Sequence, residues 1–371
     1  MKSKLSRCAI AIAISTLSAS AWSQQVSNLE IYGLVGLSYT NKNNQGATNG
    51  SLTELSTNSM NVSYLGFRGR EDLGNGLSAV FRLESSMAPD TGVIGKPAAF
   101  FDRQSFVGLN SVEWGALTLG RQFHASTDRA IRSFDAFNLA PANAHVVPVA
   151  LYGVNRYSGN DNRVSNAIKY RLDNRSGLQA GLSYGFGEVA GSSSKSASSS
   201  YDVAYTGSNY TVGAGWISFN GAAPQGTTTT LPKHEVLSLG GNIKFGPVTT
   251  YLAHYKSTLD SASTAGLKTQ VNNISTLGAS WQLDEKVLLR GAYTTDKGTD
   301  LNNVTGRNGK KNTTVLGVEY ALSKRTSLNA IWANNTLSDG YMMETLYTAA
   351  LGRNPTASSV QFYGIGVNHA F

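Results

Sequence analysis

The chain has 371 residues, 41% of them hydrophobic, with 39 Gly and 17 Tyr but only 8 Pro, a size and composition that favour one large β architecture over two ordinary domains. No apolar run of about 18 residues follows the N-terminus, which excludes a bundle of membrane helices. The formal charge of +8 invites a nucleic-acid partner, but the basic residues are scattered and the leader described next argues for export, so none is expected.

The first element, "MKSKLSRCAIAIAISTLSASAWSQQ", begins with Lys2, Lys4 and Arg7, continues through an apolar run from Cys8 to Leu17 and ends in small residues. This is the pattern of a secretory signal peptide, expected to occupy residues 1–23 with cleavage after Ser23, or after Ala21 as the alternative. The apolar run is about 10 residues, short of the roughly 20 that a membrane span needs. Loss of the three basic residues takes the charge from +8 to +5, and loss of Cys8 leaves the mature chain, 24–371, without disulfides.

After the leader one local pattern recurs: an alternating segment of about ten residues, a short polar turn, a second such segment, then a longer polar stretch. About sixteen strands of the length that membrane barrels use begin near residues 29, 58, 76, 100, 114, 163, 177, 200, 209, 235, 247, 271, 286, 312, 326 and 359. Their short connections are "EDLGNG", "NSVEW", "LDNRSG", "TGSN", "GP" at 246–247, "DEK" at 284–286 and "SKR" at 323–325. Long ones alternate with them, near 41–57, 88–99, 122–162, 189–199, 221–234, 257–270, 296–311 and 338–358. A soluble sandwich buries its apolar faces between two sheets and does not call for strict alternation of short and long loops. An up-and-down membrane barrel does, with apolar residues outward to lipid, polar and Gly-rich residues inward, and short turns at the periplasmic end. The chain is therefore read as all-β, a 16-stranded antiparallel transmembrane β-barrel.

Strand phase then decides which charges face the interior. In 64–70, Leu65 and Phe67 point outward, so Tyr64, Arg68 and Arg70 point inward. In 77–86 the outward set is Leu77, Ala79, Phe81 and Leu83, which turns Arg82 and Glu84 inward. In 103–109, Phe106 is read as outward together with Gln104, and Arg103 as inward. The long connection after residue 122 carries Asp128 and Asp135 as candidate carboxylates toward the wall, with Arg129 and Arg132 beside them. A role limited to pinning the loop is the simpler alternative. In "RVSNAIKYRL", Val164, Ile168, Tyr170 and Leu172 form the apolar face, and Arg163, Ser165, Lys169 and Arg171 the polar one. "GLSYG" at 181–185 matches the G-x-S-x-G of a nucleophile elbow, but Ser183 lies mid-strand with no helix after it, so no hydrolase is expected. The run "SSSKSASSS" at 192–200 reads as a flexible external loop. Lys244 and Arg290 fall on inner phases, while in "NTTVLGVEYAL" Leu316, Val318, Tyr320 and Leu322 face outward. His124, His145, His234, His254 and His369 show no ligand spacing and are read as surface or loop residues, so no metal or cofactor is expected.

The last stretch, "YGIGVNHAF", puts Tyr363, Ile365, Val367, His369 and Phe371 on one face. In a closed barrel it pairs with the first strand, "LEIYGLVGLSY". Tyr363, Ile365 and Val367 then face lipid, and Phe371 stands at the periplasmic aromatic girdle, hydrogen-bonded rather than frayed.

Three stretches, "YLGFRGREDLGNGLSAVFRLE" (64–84), "FDRQSFVGLNSVEWGALTLGRQ" (101–122) and "NRVSNAIKYRLDNRSGL" (162–178), together with this terminal strand, resemble the Gram-negative general porins, especially their β-proteobacterial branch. The resemblance covers 29–371. It implies a homotrimer in the outer membrane of a Gram-negative bacterium, in contact with its lipids, with a long third external loop (122–162) folded into the lumen. It also implies an arginine cluster on the wall facing carboxylates on that loop. Arg103 and Arg163 occupy matching motif positions, Arg82 and Glu84 lie beside them, and with Tyr64, Arg68, Asp128 and Asp135 they make up the expected pore constriction. This chain has Tyr64 where arginine is common before "LGF", and Leu34 in place of a basic residue on the first strand. The cluster is thinner for it, so the implied function is passive diffusion of small hydrophilic solutes and ions with a modest anion preference, and no enzyme activity. The terminal residues Tyr363, Ile365, Val367 and Phe371 match the strand that family members present to the barrel-assembly machinery. Two other readings stay open. One is a substrate-specific channel for an organic acid or sugar, with Tyr64, Tyr152 and Tyr157 as a binding track; the other is an adhesin or enzyme on a barrel scaffold.

Overall fold

A computed structural model describes residues 28–57, 59–94, 99–137, 163–173, 176–220, 233–260, 268–344, 348 and 351–371. Sixteen antiparallel strands close into a barrel: β1 (Asn28–Gln45), β2 in two segments (Gly50–Thr57 and Tyr64–Gly74), β3 (Leu77–Ala88), β4 (Gln104–Ser111), β5 (Gly115–Phe123), β6 (Arg163–Asp173), β7 (Leu178–Gly185) and β8 (Ser198–Thr206). They continue as β9 (Tyr210–Phe219), β10 (His234–Phe245), β11 (Val248–Leu259), β12 (Gln270–Gln282), β13 (Val287–Thr299), β14 (Gly309–Ala321), β15 (Thr326–Asp339) and β16 (Ser359–Ala370). Each pairs with its sequence neighbours, and β16 returns to β1 with Leu34 opposite Ala370 and Asn41 opposite Tyr363. Closure leaves no unpaired edge, which is the condition for a sheet to stand in hydrocarbon.

Outward side chains form the apolar belt that the alternation predicts. Leu252 is 65% exposed, Ile365 64% and Leu277 56%, values that only a lipid environment makes tolerable for so continuous a surface. At the short-turn end the 74–76 reversal is tight enough that Gly74, Asn75 and Gly76 all take positive φ, which explains the "GNG" there.

Two departures from the expected layout have physical causes. The stretch 41–57 is mostly strand rather than loop: β1 runs to Gln45, 46–49 reverse the chain, and β2 starts at Gly50. Several of its contacts are polar, with Asn41 Nδ2 donating to Thr53 Oγ1 at 2.7 Å and Lys42 bridging Glu54 at 2.9 Å, and its two leucines, Leu52 and Leu55, stand three apart, so a period of two does not show in them. β2 instead breaks over 59–63, where Ser63 Oγ caps both the N–H and the carbonyl of Gly36 (3.0 and 3.1 Å) and Met60 turns inward.

The interior is also less uniformly polar than expected. After β5 the chain enters helix α1 (Ala125–Ser133), and 124–137 run along the inward side chains of one strand after another. Ser183 of β7 accepts from Ala125 N (3.1 Å), Ser200 of β8 from Ser126 N (2.9 Å), and Asn242 of β10 donates to Ser133 O (2.9 Å). The wall serines satisfy helix N–H groups that would otherwise be orphans, because His124 at the N-cap makes no side-chain capping bond. Phe134 then packs with Ala130, Ile217, Val236, Ala253, Tyr255 and Ile274, and Phe137 with Met60, Val315, Ile331, Ala333 and Phe362. Glycines clear the track: a Cβ on Gly240 would lie 2.8 Å from Phe134 Cγ, and one on Gly215 2.7 Å from Ser126 Cβ.

Candidate functional site

A cavity of about 810 Å³ lies between α1 and the wall formed by β2 to β7. On the wall side Glu84 is its centre. Buried to 4% exposure, Glu84 accepts from Tyr32 Oη at 2.6 Å and Gln104 Nε2 at 2.8 Å. Arg103 stands 3.7 Å and Arg82 3.9 Å from its carboxylate. Arg103 also lies over the Tyr64 ring at 4.8 Å, and its buried Nε has no hydrogen-bond partner. The carboxylate spends its good hydrogen bonds on neutral donors, so both guanidinium groups keep their charge directed at the cavity.

On the loop side Asp128 meets Arg132 at 2.9 Å, Arg171 at 3.6 Å and Lys169 at 3.9 Å. Burial pushes its carboxyl upward, but these three cations outweigh it and hold it below the ordinary carboxylate value. Arg171 bonds Asp202 at 2.9 Å and Ala125 O at 2.9 Å, while Arg129 reaches the same Asp202 at 3.1 Å and Asp173 at 3.7 Å. Gln179 accepts a further bond from Arg129. His124, fully buried, has Ser183 Oγ 3.0 Å from Nδ1 and packs edge-on against Phe219. Burial, reinforced by Lys169, lowers its pKa to about 3, so the ring is neutral. Six cationic side chains (Arg82, Arg103, Arg129, Arg132, Lys169 and Arg171) and three carboxylates (Glu84, Asp128 and Asp173) line the cavity. Such a site attracts anions, and the Ser183–His124 pair near it is committed elsewhere: Ser183 holds the helix N-terminus and His124 is sealed from solvent.

The family model for Gram-negative porins matches residues 9–340. The chain belongs to that family. Outer membrane porin protein 32 of Delftia acidovorans is 29% identical over 97% of this chain and 99% of its own. Among solved structures, the anion-selective porin from Comamonas acidovorans superposes with a TM-score of 0.74 at 23% identity, covering 93% of this chain and all (100%) of that one. OmpT of Vibrio cholerae, in a trimer form, gives 0.65 at 16% identity, covering 93% and 100%. The protein is thus an outer-membrane porin, a channel whose wall is the barrel just described.

Within this porin five of the eight expected constriction residues meet and three do not. Tyr64, Arg82, Glu84, Arg103 and Asp128 converge on the cavity. Arg68 lies apart, held by Glu30 through two bonds of 2.8 Å and stacked on Tyr32. Asp135 serves the backbone, accepting from Phe137 N at 3.0 Å. Arg163 is displaced from the phase of Lys169 and Arg171 by an irregularity at Asn166, whose φ is +53° and beside which the β5–β6 register shifts. Its guanidinium lies 4.2 Å over Phe123, outside the cavity lining but within electrostatic reach of Arg103 and Glu84. The reading of Gln104 and Phe106 as outward is corrected. Gln104 pairs with Glu84 and Phe106 with Arg82, both inward, whereas Val107 and Leu109 are the exposed set. Arg103 precedes the strand, so it escapes the alternation and also reaches the interior. His124 and His234 are buried rather than on the surface. Tyr152, Tyr157 and His145 lie outside the described residues. Gln104 and Asp202 were not anticipated in the site, and Arg129 was expected only as a neighbour of the loop carboxylates, without its wall partner; the i,i+4 spacing of Asp128 and Arg132 was a usable sign of the helix that positions Arg129.

Proposed function

We propose that this porin is a general diffusion channel with a modest anion preference, its narrowest part made by the third external loop folding into the lumen against the β2–β7 wall. The observation that carries this reading is the excess of six cations over three carboxylates around the cavity. Arginine stays protonated at any working pH, so the wall charge is fixed. Two unit charges about 4 Å apart interact by roughly 4 kcal/mol at an effective dielectric near 20, against about 1 kcal/mol in bulk water, so a permeating anion gains most where the lumen is narrow. Pairing of Arg129 and Arg171 with Asp202 removes part of that field, which is why the preference is modest. No catalytic role is proposed.

The same reading includes removal of residues 1–23 on export, assembly as a homotrimer, and recognition of Tyr363, Ile365, Val367 and Phe371 by the barrel-assembly machinery. The trimer form of the Vibrio cholerae relative supports the second of these. Reversal potentials measured across a salt gradient in planar bilayers test the function: the expected sign is anionic, and a cation-selective potential rejects it.

A further inference from the structure

One inward side chain of the cavity is out of character with a water-filled lumen. Phe106 of β4 lines the wall half-buried, whereas Phe134 and Phe137 are fully packed into apolar clusters that Phe106 does not join. Along β4 the next residue on the same face is Gly108, and the partner of Phe106 on β5 is Gly120. Neither has a side chain to cover the ring. Ile131 of α1 lines the same cavity from the helix side. Apolar groups facing a narrow passage from both sides make a place for an apolar part of a passing solute.

The charges beside the ring are the uncommitted ones. Arg82 stands directly opposite Phe106 in the β3–β4 register. Among the described residues its side chain donates no hydrogen bond, and its ion partner, Glu84, is 3.9 Å away. Arg103 is 3.7 Å from the same carboxylate, set over the Tyr64 ring at 4.8 Å with its Nε unpartnered. Arg129 and Arg171, by contrast, are taken up by Asp202. Two guanidinium groups facing the single carboxylate of Glu84 leave one positive charge uncompensated. Its complement is one further carboxylate, which the planar fork of arginine fits.

We infer that this site favours aromatic monocarboxylates among the anions that pass, the carboxylate at Arg82 and Arg103 and the ring between Phe106 and Ile131. The inference rests on the diffusion-channel reading above and adds a solute class to it. The test is the chloride current of the intact porin in planar bilayers at neutral pH, titrated with benzoate, with acetate as the charge alone and with benzamide as the ring alone. Benzoate is expected to reduce the current saturably, reaching half-saturation at about one-fifth of the concentration that acetate needs, the size of effect that an aromatic contact gives. Benzamide is expected not to saturate. Phe106→Ser should bring benzoate to the acetate value, and Phe106→Tyr, which keeps the ring, should keep the difference. Equal half-saturation of benzoate and acetate in an anion-selective wild type, or an undiminished difference in Phe106→Ser, overturns the inference and leaves the diffusion channel standing. A cation-selective wild type rejects that reading, and the inference with it.

Discussion

Arg129 on helix α1 and Asp202 on strand β8 meet at 3.1 Å with their side chains 6% and 0% exposed, the most deeply buried ion pair between the third loop and the barrel wall among the described residues. Removing one partner of a buried pair costs about 3–5 kcal/mol, because the other charge is left without compensation. Here Arg171 still neutralises Asp202, so Arg129→Leu is expected at the lower end of that range and Asp202→Asn, which takes the best-placed carboxylate from two arginines at once, at the upper. The cost falls on the seating of the loop rather than on barrel closure. Both variants should assemble and show increased open-channel noise in single-channel recordings, larger for Asp202→Asn. Quiet traces from both would show that the pair does not hold the loop.

The glycine track makes a separate prediction about the same seating. Valine at Gly240 would put its Cβ 2.8 Å from Phe134 Cγ and from Ala253 Cβ, and the strand backbone cannot yield without disturbing its ladders. Gly240→Val should therefore push Phe134 off the wall, forfeiting part of the roughly 1.5–3 kcal/mol that burial of such a side chain contributes. Proteolysis between 125 and 137 reports the displacement, with faster cleavage than wild type expected.

Glu84 sets how much of the arginine charge a permeating ion meets. It is 3.7 Å from Arg103 and 3.9 Å from Arg82, yet is held by Tyr32 and Gln104. Glu84→Gln keeps the shape and removes one of the three carboxylates of the lining, so the reversal potential in a salt gradient should move toward the anion limit. Arg82→Ala combined with Arg103→Ala should move it the other way. A Glu84→Gln channel with unchanged selectivity would place the determining charges elsewhere in the lumen.

Acid should loosen the loop in two stages. The pKa of His124 is lowered by burial, with Lys169 adding, to about 3 from 6.5. Below pH 6.5 a detached loop takes up the proton that the seated one refuses, and about 1.4 kcal/mol of attachment is lost per pH unit as pH falls from there toward about 3. Asp128 titrates lower. Its pKa is depressed despite burial, by Lys169, Arg132 and Arg171, so its ion pairs contribute fully above its ordinary 3.8 and fade as pH drops below it. Open-channel noise should rise gradually below pH 6.5 and more steeply below 3.8. In His124→Phe, which keeps a ring beside Phe219, the upper stage should vanish; persistence of that stage would assign it to another group.

The barrel was legible because its physics is periodic. Strands such as β7, with Leu178 and Leu182 outward and Ser183 inward, write the lipid and lumen faces directly into alternate residues. On the wall, alternation alone placed site residues where that period is unbroken, as for Arg82 and Glu84 on β3. Position 103 lies just before a strand and position 163 just before an irregularity at Asn166, and at both places counting by two fails. The partners of the loop were hidden for a different reason. Asp202 is one carboxylate in an alternating strand, and nothing local says that Arg129, 73 residues earlier, will reach it.

Phe371 and Gly33 carry the last prediction. The terminal residue exchanges both backbone hydrogen bonds with Gly33, each 3.1 Å, so the end of the chain is held as firmly as a mid-strand pair. Its ring occupies the space over Gly33, where a Cβ would lie 2.5 Å from Phe371 Cζ and equally close to Tyr64 O. The ring is 41% exposed on the outward face, in line with Val367 (43%) and Ile365 (64%), so it extends an apolar stripe to the very end of β16. Deleting Phe371 removes both bonds and the ring at the seam where the barrel closes, the one pairing that joins the two ends of the sequence and so forms only when the whole sheet is in place. Deletion should therefore reduce the yield of heat-modifiable barrel in outer-membrane fractions several-fold, while the barrels that do form conduct as wild type, because the residue faces away from the lumen. Phe371→Tyr keeps the ring and the backbone pairing and should assemble normally. Wild-type yield from the deletion variant would mean that closure and assembly depend on Tyr363, Ile365 and Val367 alone.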